Sequence, residues 1–254
     1  MTTQNKKNVG VQIYSVRNEL AQNFDSTLAK LSEIGFQYIE SYGLSTDGLL
    51  YGMPPEDFKK AVEKYDMKLV STHSDYFTSE EAPIMIDAAK KAGLEYVIIP
   101  WTPEELRGDY VSVAQNLNNI GAQFKEAGIG FAYHNHDFEF YPTENGEIPL
   151  DILLEVTQPE NVDFQLDLYW VVKAGVDPLE ILNKYPGRFS AFHIKDSDVE
   201  LNQTTVGTGI VDFKTILTEA EISGYKYYFV EDERRDNPFS NLENAFNFLQ
   251  SLDF

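Results

Sequence analysis

The chain has no cysteine, which excludes disulfides, thiolate zinc sites and cysteine nucleophiles. That absence is compatible with a reducing cytoplasm, the compartment expected here. Basic residues are scarce: 20 Lys and Arg stand against 41 Asp and Glu, a formal net charge of −21. Such a surface repels a phosphate backbone, so nucleic acid is not an expected partner. No run approaches the ~18 consecutive apolar residues of a membrane span. The first apolar stretch, 9–16, follows a short polar start and is broken by Gln12, Tyr14 and Ser15, unlike a secretory signal. No membrane partner is expected either. Linkers, composition breaks and low-complexity tracts are also missing, so residues 1–254 read as a single domain.

What is present is an alternation of two patterns from end to end. Short β-rich runs occupy 9–15, 37–41, 68–75, 96–101, 129–137, 162–170, 189–196 and 225–233. Helical periodicity occupies 25–34, 55–65, 82–92, 110–127, 150–157, 178–184, 212–223 and 241–252. Gly35, Gly93, Gly128 and Gly224 sit where helices give way to strands, as C-cap glycines do. Pro54-Pro55 and Asp177-Pro178 mark helix starts. Eight strands alternating with eight helices in 254 residues match the ~250 residues of a (β/α)8 TIM barrel. An open doubly wound sheet shares the local pattern, but strand count and length favour the barrel.

Strand parity assigns faces. Val9, Val11 and Ile13 alternate with Gly10, Gln12 and Tyr14; Leu166 and Leu168 with Gln165, Asp167 and Tyr169; Phe192 and Ile194 with His193 and Lys195. The apolar sets are expected to face the helices and the polar sets the barrel axis. Polar groups inside a barrel are costly unless hydrogen-bonded or engaged in a site. Near the C-terminal strand ends, a site is the expected reason.

All four histidines, His73, His134, His136 and His193, lie on predicted strands towards their C-terminal ends. Glu139, Asp167, His193 and Glu231 sit at or just past four successive strand ends, 26 to 38 residues apart, close to the ~30 of a strand–helix–strand unit. In a closed barrel they converge on one mouth. Three carboxylates and an imidazole suit one hard or borderline divalent ion, such as Mn2+, Mg2+, Co2+ or Zn2+. A salt-bridge network with Lys195 and Arg234 or Arg235 is the plainer use of the same charges, and the two are not exclusive.

The segments GVQIYSVR, YHNHDFEF, QLDLYW, AGVDP, YPGRFSAFHIKD and YYFVEDE closely resemble the sugar phosphate isomerase/epimerase group of the xylose-isomerase-like TIM barrels, over nearly the whole chain. The resemblance implies one divalent metal held by Glu, Asp, His and Glu from strands five to eight. Asp167, His193 and Glu231 match the last three positions and Glu139 is the candidate for the first, with His136 as its rival. Related members include ketose 3-epimerases, hydroxypyruvate isomerase, inosose dehydratase and dehydroshikimate dehydratase.

The expected substrate is a small carbohydrate whose carbonyl and neighbouring hydroxyl chelate the metal. The metal then acts as a Lewis acid for the enediolate formed on proton removal. By the resemblance, Glu139 and Glu231 are the acid/base pair, giving an isomerase or epimerase. Loss of a β-hydroxyl from the same intermediate would make the enzyme a dehydratase, and a non-catalytic sugar-binding barrel is the reading from another class. Lys195 is expected either to bind or protonate substrate or to pair with Asp167 or Glu231. His73, His134, His136, Gln12, Glu40, Trp101 and Trp170 complete the candidate substrate-binding set. Gly207-Thr208-Gly209 reads as a structural turn ahead of an Asp212 N-cap rather than a phosphate cradle. A homo-oligomer is compatible with the chain.

Overall fold

The computed structural model describes residues 9–220 and 226–253. Its central feature is a closed parallel barrel of eight strands. The strands are β1 (Val9–Gln12), β2 (Tyr38–Leu44), β3 (Lys68–Ser74), β4 (Tyr96–Ile99), β5 (Gly130–His134), β6 (Asp163–Asp167), β7 (Phe189–Ile194) and β10 (Tyr227–Val230). β1 closes the barrel by pairing with both β2 and β10. A small antiparallel hairpin, β8 (Asp196–Ser197) with β9 (Gln203–Thr204), stands beyond β7. The helices are α1 (Arg17–Gln22), α2 (Phe24–Ile34), α3 (Pro55–Glu63), α4 (Ala82–Ala92), α5 (Tyr110–Glu126), α6 (Pro149–Val156), α7 (Leu168–Lys173), α8 (Pro178–Lys184), α9 (Phe213–Ala220) and α10 (Pro238–Ser251). The (β/α)8 architecture expected from the alternation is therefore present.

Local chemistry sets the boundaries. Asn23 caps α2 by accepting from the Ser26 amide, and Gly35 ends it at a φ of 116°. All the expected strands but β2 end before their runs do, so that His136 lies past the end of β5, and β1 and β6 show why. β1 stops at Gln12, whose side chain accepts from the Tyr14 amide and starts a 3-10 turn. β6 stops at Asp167, which caps α7 through the Trp170 amide. Leu168 to Trp170 are thus helical, not strand. The expectations at Gly224, Tyr225 and 221–223 lie outside the described residues.

The parity reading holds for the strands. Val9, Val11, Leu166, Phe192 and Ile194 belong to the main apolar layer between strands and helices. Val70, Ala191, Tyr227 and Phe229, and separately Tyr96, Ile98 and Ala132, form small clusters inside the barrel. Glycine makes room for these rings. A Cβ at Gly10 would lie 2.4 Å from Phe229 Cδ1, and one at Gly130 would lie 2.3 Å from Tyr96 Cε1.

A bulge in β3 adjusts the face further along. Ile39 pairs with Leu69 but Glu40 pairs with Ser71, so Val70 is an extra residue. Unbroken alternation from Leu69 would send Ser71 and His73 to the helix side. The bulge instead turns both towards Glu40 and the barrel axis.

Candidate functional site

The site lies at the C-terminal mouth, where β5, β6, β7 and β10 end. Asp167 Oδ2, His193 Nδ1 and Glu231 Oε2 converge there: Nδ1 is 3.7 Å from Asp167 Oδ2 and 3.0 Å from Glu231 Oε2. All three residues are buried. Their ligand atoms lie within 4.8 Å of one another, close enough for one cation to touch all three.

His134, the last residue of β5, stands beside them with Nε2 3.8 Å from Asp167 Oδ2. Its Nδ1 is 2.9 Å from Gln165 Oε1. An amide oxygen only accepts, so Nδ1 carries the proton and the Nε2 lone pair faces Asp167. Burial, reinforced by the charge of His193, keeps the His134 pKa well below 6.5 and its ring neutral.

Behind these groups lies a network centred on Glu40. Its carboxylate accepts from Gln12 Nε2 at 3.1 Å, Ser71 Oγ at 2.7 Å and Gln165 Nε2 at 2.9 Å, and it pairs with His193 Nε2. Glu40 and Gln12 were expected to bind substrate hydroxyls; the structure buries both completely, with no edge on the cavity. Glu40 instead pairs with His193 Nε2 and Gln12 with Glu40, an arrangement that would orient the imidazole if it held a metal. A second histidine cluster, His73, His134 and His193, also converges. Two of its nitrogens are already engaged: His73 Nε2 sits 2.8 Å from Gln165 Oε1 and His193 Nε2 is on Glu40.

Charge balance explains the geometry. Lys195 is fully buried, with Nζ 3.1 Å from Glu231 Oε2, 3.3 Å from Asp167 Oδ2 and paired with Glu233. This is the ion-pair role; its ammonium is not among the cavity-lining groups. Arg234 pairs with Asp232 rather than with the cluster. Burial opposes the charge on His193, yet Glu40 and Glu231 push its pKa up to about 10. Burial likewise opposes ionisation of Glu231, but Lys195 and His193 hold it well below the ordinary carboxylate range. At Asp167 burial wins, and its pKa rises to about 6 against the pull of Lys195 and His193. Asp167 Oδ2 meets no hydrogen-bond geometry despite the nearby ammonium. An orphaned carboxylate oxygen between two nitrogen donors and a second carboxylate fits a divalent cation, with Asp167, His193, Glu231 and His134 as its holders.

Glu139 does not join them. The chain turns at Phe138–Phe140, and Glu139 folds back behind β5. There Oε1 accepts from Tyr133 OH at 2.6 Å and Oε2 from the His136 amide at 2.8 Å. Tyr133 belongs to the outer apolar layer, so this carboxylate faces away from the axis. Burial pushes its pKa up to about 7 despite both hydrogen bonds. His136 is not gathered into the cluster either; its ring stacks on Phe138 and packs against Trp170.

Above the cluster opens a cavity of about 510 Å3. His73, His134, His136, Trp101 and Glu231 line it, with Tyr14, Tyr42, Phe138, Arg107 and Glu233. Trp170 was expected on this wall, but it packs beneath His136 and the Lys195 ammonium. Burial and the Lys195 charge lower the His136 pKa to about 3, leaving a neutral ring. Sequence reasoning did not single out Gln165, Ser71, Glu233 or Arg107. Gln165 carried a usable signal, since it precedes Asp167 by two residues on the same face. Arg107 carried none, because it lies on a loop without periodicity.

Gly207 and Gly209 form a turn, with both amides donating to Asp196 Oδ2 at 2.9 Å. Asp212 caps the next helix through the Thr215 amide. No helix among the described residues is long and apolar enough to cross a membrane.

The chain is 28% identical over 156 residues to an inosose dehydratase of Geobacillus thermodenitrificans, covering 53% of this chain and 51% of that protein. It is 24% identical to the inosose dehydratase of Clostridium perfringens over 87% of this chain and 86% of that one. Among solved structures, a sugar phosphate isomerase/epimerase from Parabacteroides distasonis superposes with a TM-score of 0.85 at 28% identity, covering 99% of this chain and 96% of that one. The model of the xylose isomerase-like TIM barrel family matches residues 28–252, and the chain belongs to that family.

Proposed function

We propose that this protein is a metal-dependent enzyme that moves a proton on the carbon beside the carbonyl of a keto-sugar or related polyol. The carrying observation is the convergence of Asp167 Oδ2, His193 Nδ1 and Glu231 Oε2, with Glu231 and the neighbouring His134 reaching the lining of a cavity within the ~300–1,000 Å3 range of small-ligand sites. When bound, a divalent cation supplies Lewis acidity to the carbonyl and hydroxyl groups of the substrate.

The chain's own residues do the rest. Glu231 lines the cavity with its carboxylate beside Lys195 and His193, and this carboxylate, open to the cavity, is the base that takes the proton. Lys195 keeps that carboxylate charged and in place rather than donating to substrate. Neutral His136 and His73 on the cavity wall exchange hydrogen bonds with substrate hydroxyls. Return of the proton by Glu231 to the neighbouring carbon, with the hydroxyl proton passing to the former carbonyl oxygen, gives an isomer. Return to the original carbon from the opposite face gives an epimer and needs a second donor.

Dehydration is a second reading, favoured by the names of the Geobacillus and Clostridium relatives. It starts with the same proton removal and ends with loss of the β-hydroxyl as water. Incubation of the Mn2+-loaded protein with ketoses and inososes in D2O, followed by mass spectrometry, separates these outcomes. Deuterium in recovered substrate, isomer or epimer supports the first reading, and a product lighter by one water supports the second. Neither result with any substrate, alongside no Mn2+ uptake, leaves a non-catalytic sugar-binding barrel.

A further inference from the structure

Arg107 is the one Arg or Lys lining the cavity among the described residues, in a chain where acidic groups outnumber basic ones two to one. It stands on the loop between β4 and α5, and two contacts hold its guanidinium. The guanidinium carbon lies 3.6 Å from the centroid of the Phe138 ring. Nε donates to the Thr102 carbonyl at 2.9 Å. Neither Nη nitrogen has a hydrogen-bond partner among the described residues.

The two supports are tied to each other. Thr102 Oγ1 is 2.8 Å from Tyr133 OH, and Tyr133 OH donates to Glu139 Oε1. Glu139 sits beside Phe138 in the same 3-10 turn. The carboxylate expected on the metal thus braces the platform under Arg107. A solvated rim arginine would need none of this. A guanidinium whose plane is fixed by stacking and by Nε, with both Nη atoms open, is a ready fork for the paired oxygens of a carboxylate or phosphate. Its ordering cost is met before the ligand arrives.

We propose that Arg107 is the anion-binding subsite of this cavity, and that the substrate is a carbohydrate carrying a carboxylate or phosphate away from its reacting carbonyl. The proposal rests on reading the cavity as a carbohydrate site. It adds the substrate's charge and the residue that selects for it.

The test is a titration followed by tryptophan fluorescence, since Trp101 lines the cavity and Trp170 packs against His136. Sorbitol, gluconate and sorbitol 6-phosphate are added to wild type, R107K and R107M, each with and without Mn2+. In wild type at least one anionic polyol is expected to bind tenfold or more tighter than sorbitol. Which one it is assigns carboxylate or phosphate. R107M loses that advantage while sorbitol binding stays unchanged, and R107K keeps part of it as a point charge without the fork. Equal affinities in wild type, an advantage that survives in R107M, or no binding of either anion overturns the proposal. The Mn2+-induced shift in melting temperature separates this outcome from failure of the metal site. R107M leaves that shift intact, whereas its absence from wild type counts against the metal reading alone.

Discussion

Replacing Lys195 with methionine tests how the site manages charge. In wild type the buried ammonium faces Asp167, Glu231 and Glu233. The Asp167 side chain is inaccessible and that of Glu231 is 7% exposed, while that of Glu233 is 37% exposed and can turn to water. Methionine removes the ammonium that lies over Tyr169 and Trp170 and leaves two buried carboxylates with His193 alone of their two cationic neighbours. Breaking a buried pair from one side costs about 3–5 kcal/mol, and K195M should lose that much stability in EDTA. A divalent cation entering between Asp167 and Glu231 restores the missing charge, whereas in wild type it must share those carboxylates with the ammonium. A ligand at a hundred times its Kd stabilises by about 2.7 kcal/mol. The gain on adding saturating Mn2+ should therefore be larger in K195M than in wild type. Urea denaturation of both proteins at pH 7.5, with EDTA or Mn2+, measures all four values. A loss below about 1 kcal/mol in EDTA, or equal Mn2+ gains, would refute the reasoning.

Two further outcomes follow from the network. Glu139 has its pKa raised from 4.5 to about 7, so the folded protein binds this proton more tightly than the unfolded chain. Its contribution is complete below pH 4.5 and declines as pH rises to 7, by about 3 kcal/mol in all. E139Q carries no such charge, and its stability relative to wild type should rise by that amount between pH 4.5 and 8; parallel urea stability profiles would contradict this. E40Q removes the carboxylate that orients His193 and should weaken Mn2+ binding about 10–100-fold. Calorimetry giving an unchanged affinity would count against the role assigned to Glu40.

The sequence made the barrel legible because helix periodicity and strand parity repeat at every turn of the chain. Asp167, His193 and Glu231 were legible for the same reason, since inward parity at a strand end is a local property. Glu139 was not. Its placement depends on a 3-10 turn after β5 that sends the side chain behind Tyr133, and no periodicity reports a single turn. His134 takes the β5 place beside Asp167, where the family resemblance pointed to Glu139. Glu40 was found by parity, but its role was hidden. The bulge at Val70 turns Ser71 and His73 onto Glu40, and Gln165 reaches it from β6, so its carboxylate is enclosed beside His193. Trp170 was displaced by the capping habit of Asp167, which ends a strand and starts a helix with one side chain.

The central claim is that the β5, β6, β7 and β10 ends hold one divalent cation. An anomalous difference map from crystals equilibrated with Mn2+ tests it most directly. The account predicts a single strong peak bounded by Asp167 Oδ2, His193 Nδ1 and Glu231 Oε2, with His134 Nε2 beside it. A peak at Glu139, a peak among the rings of His73, His134 and His193 away from the carboxylates, or no peak at all would contradict it.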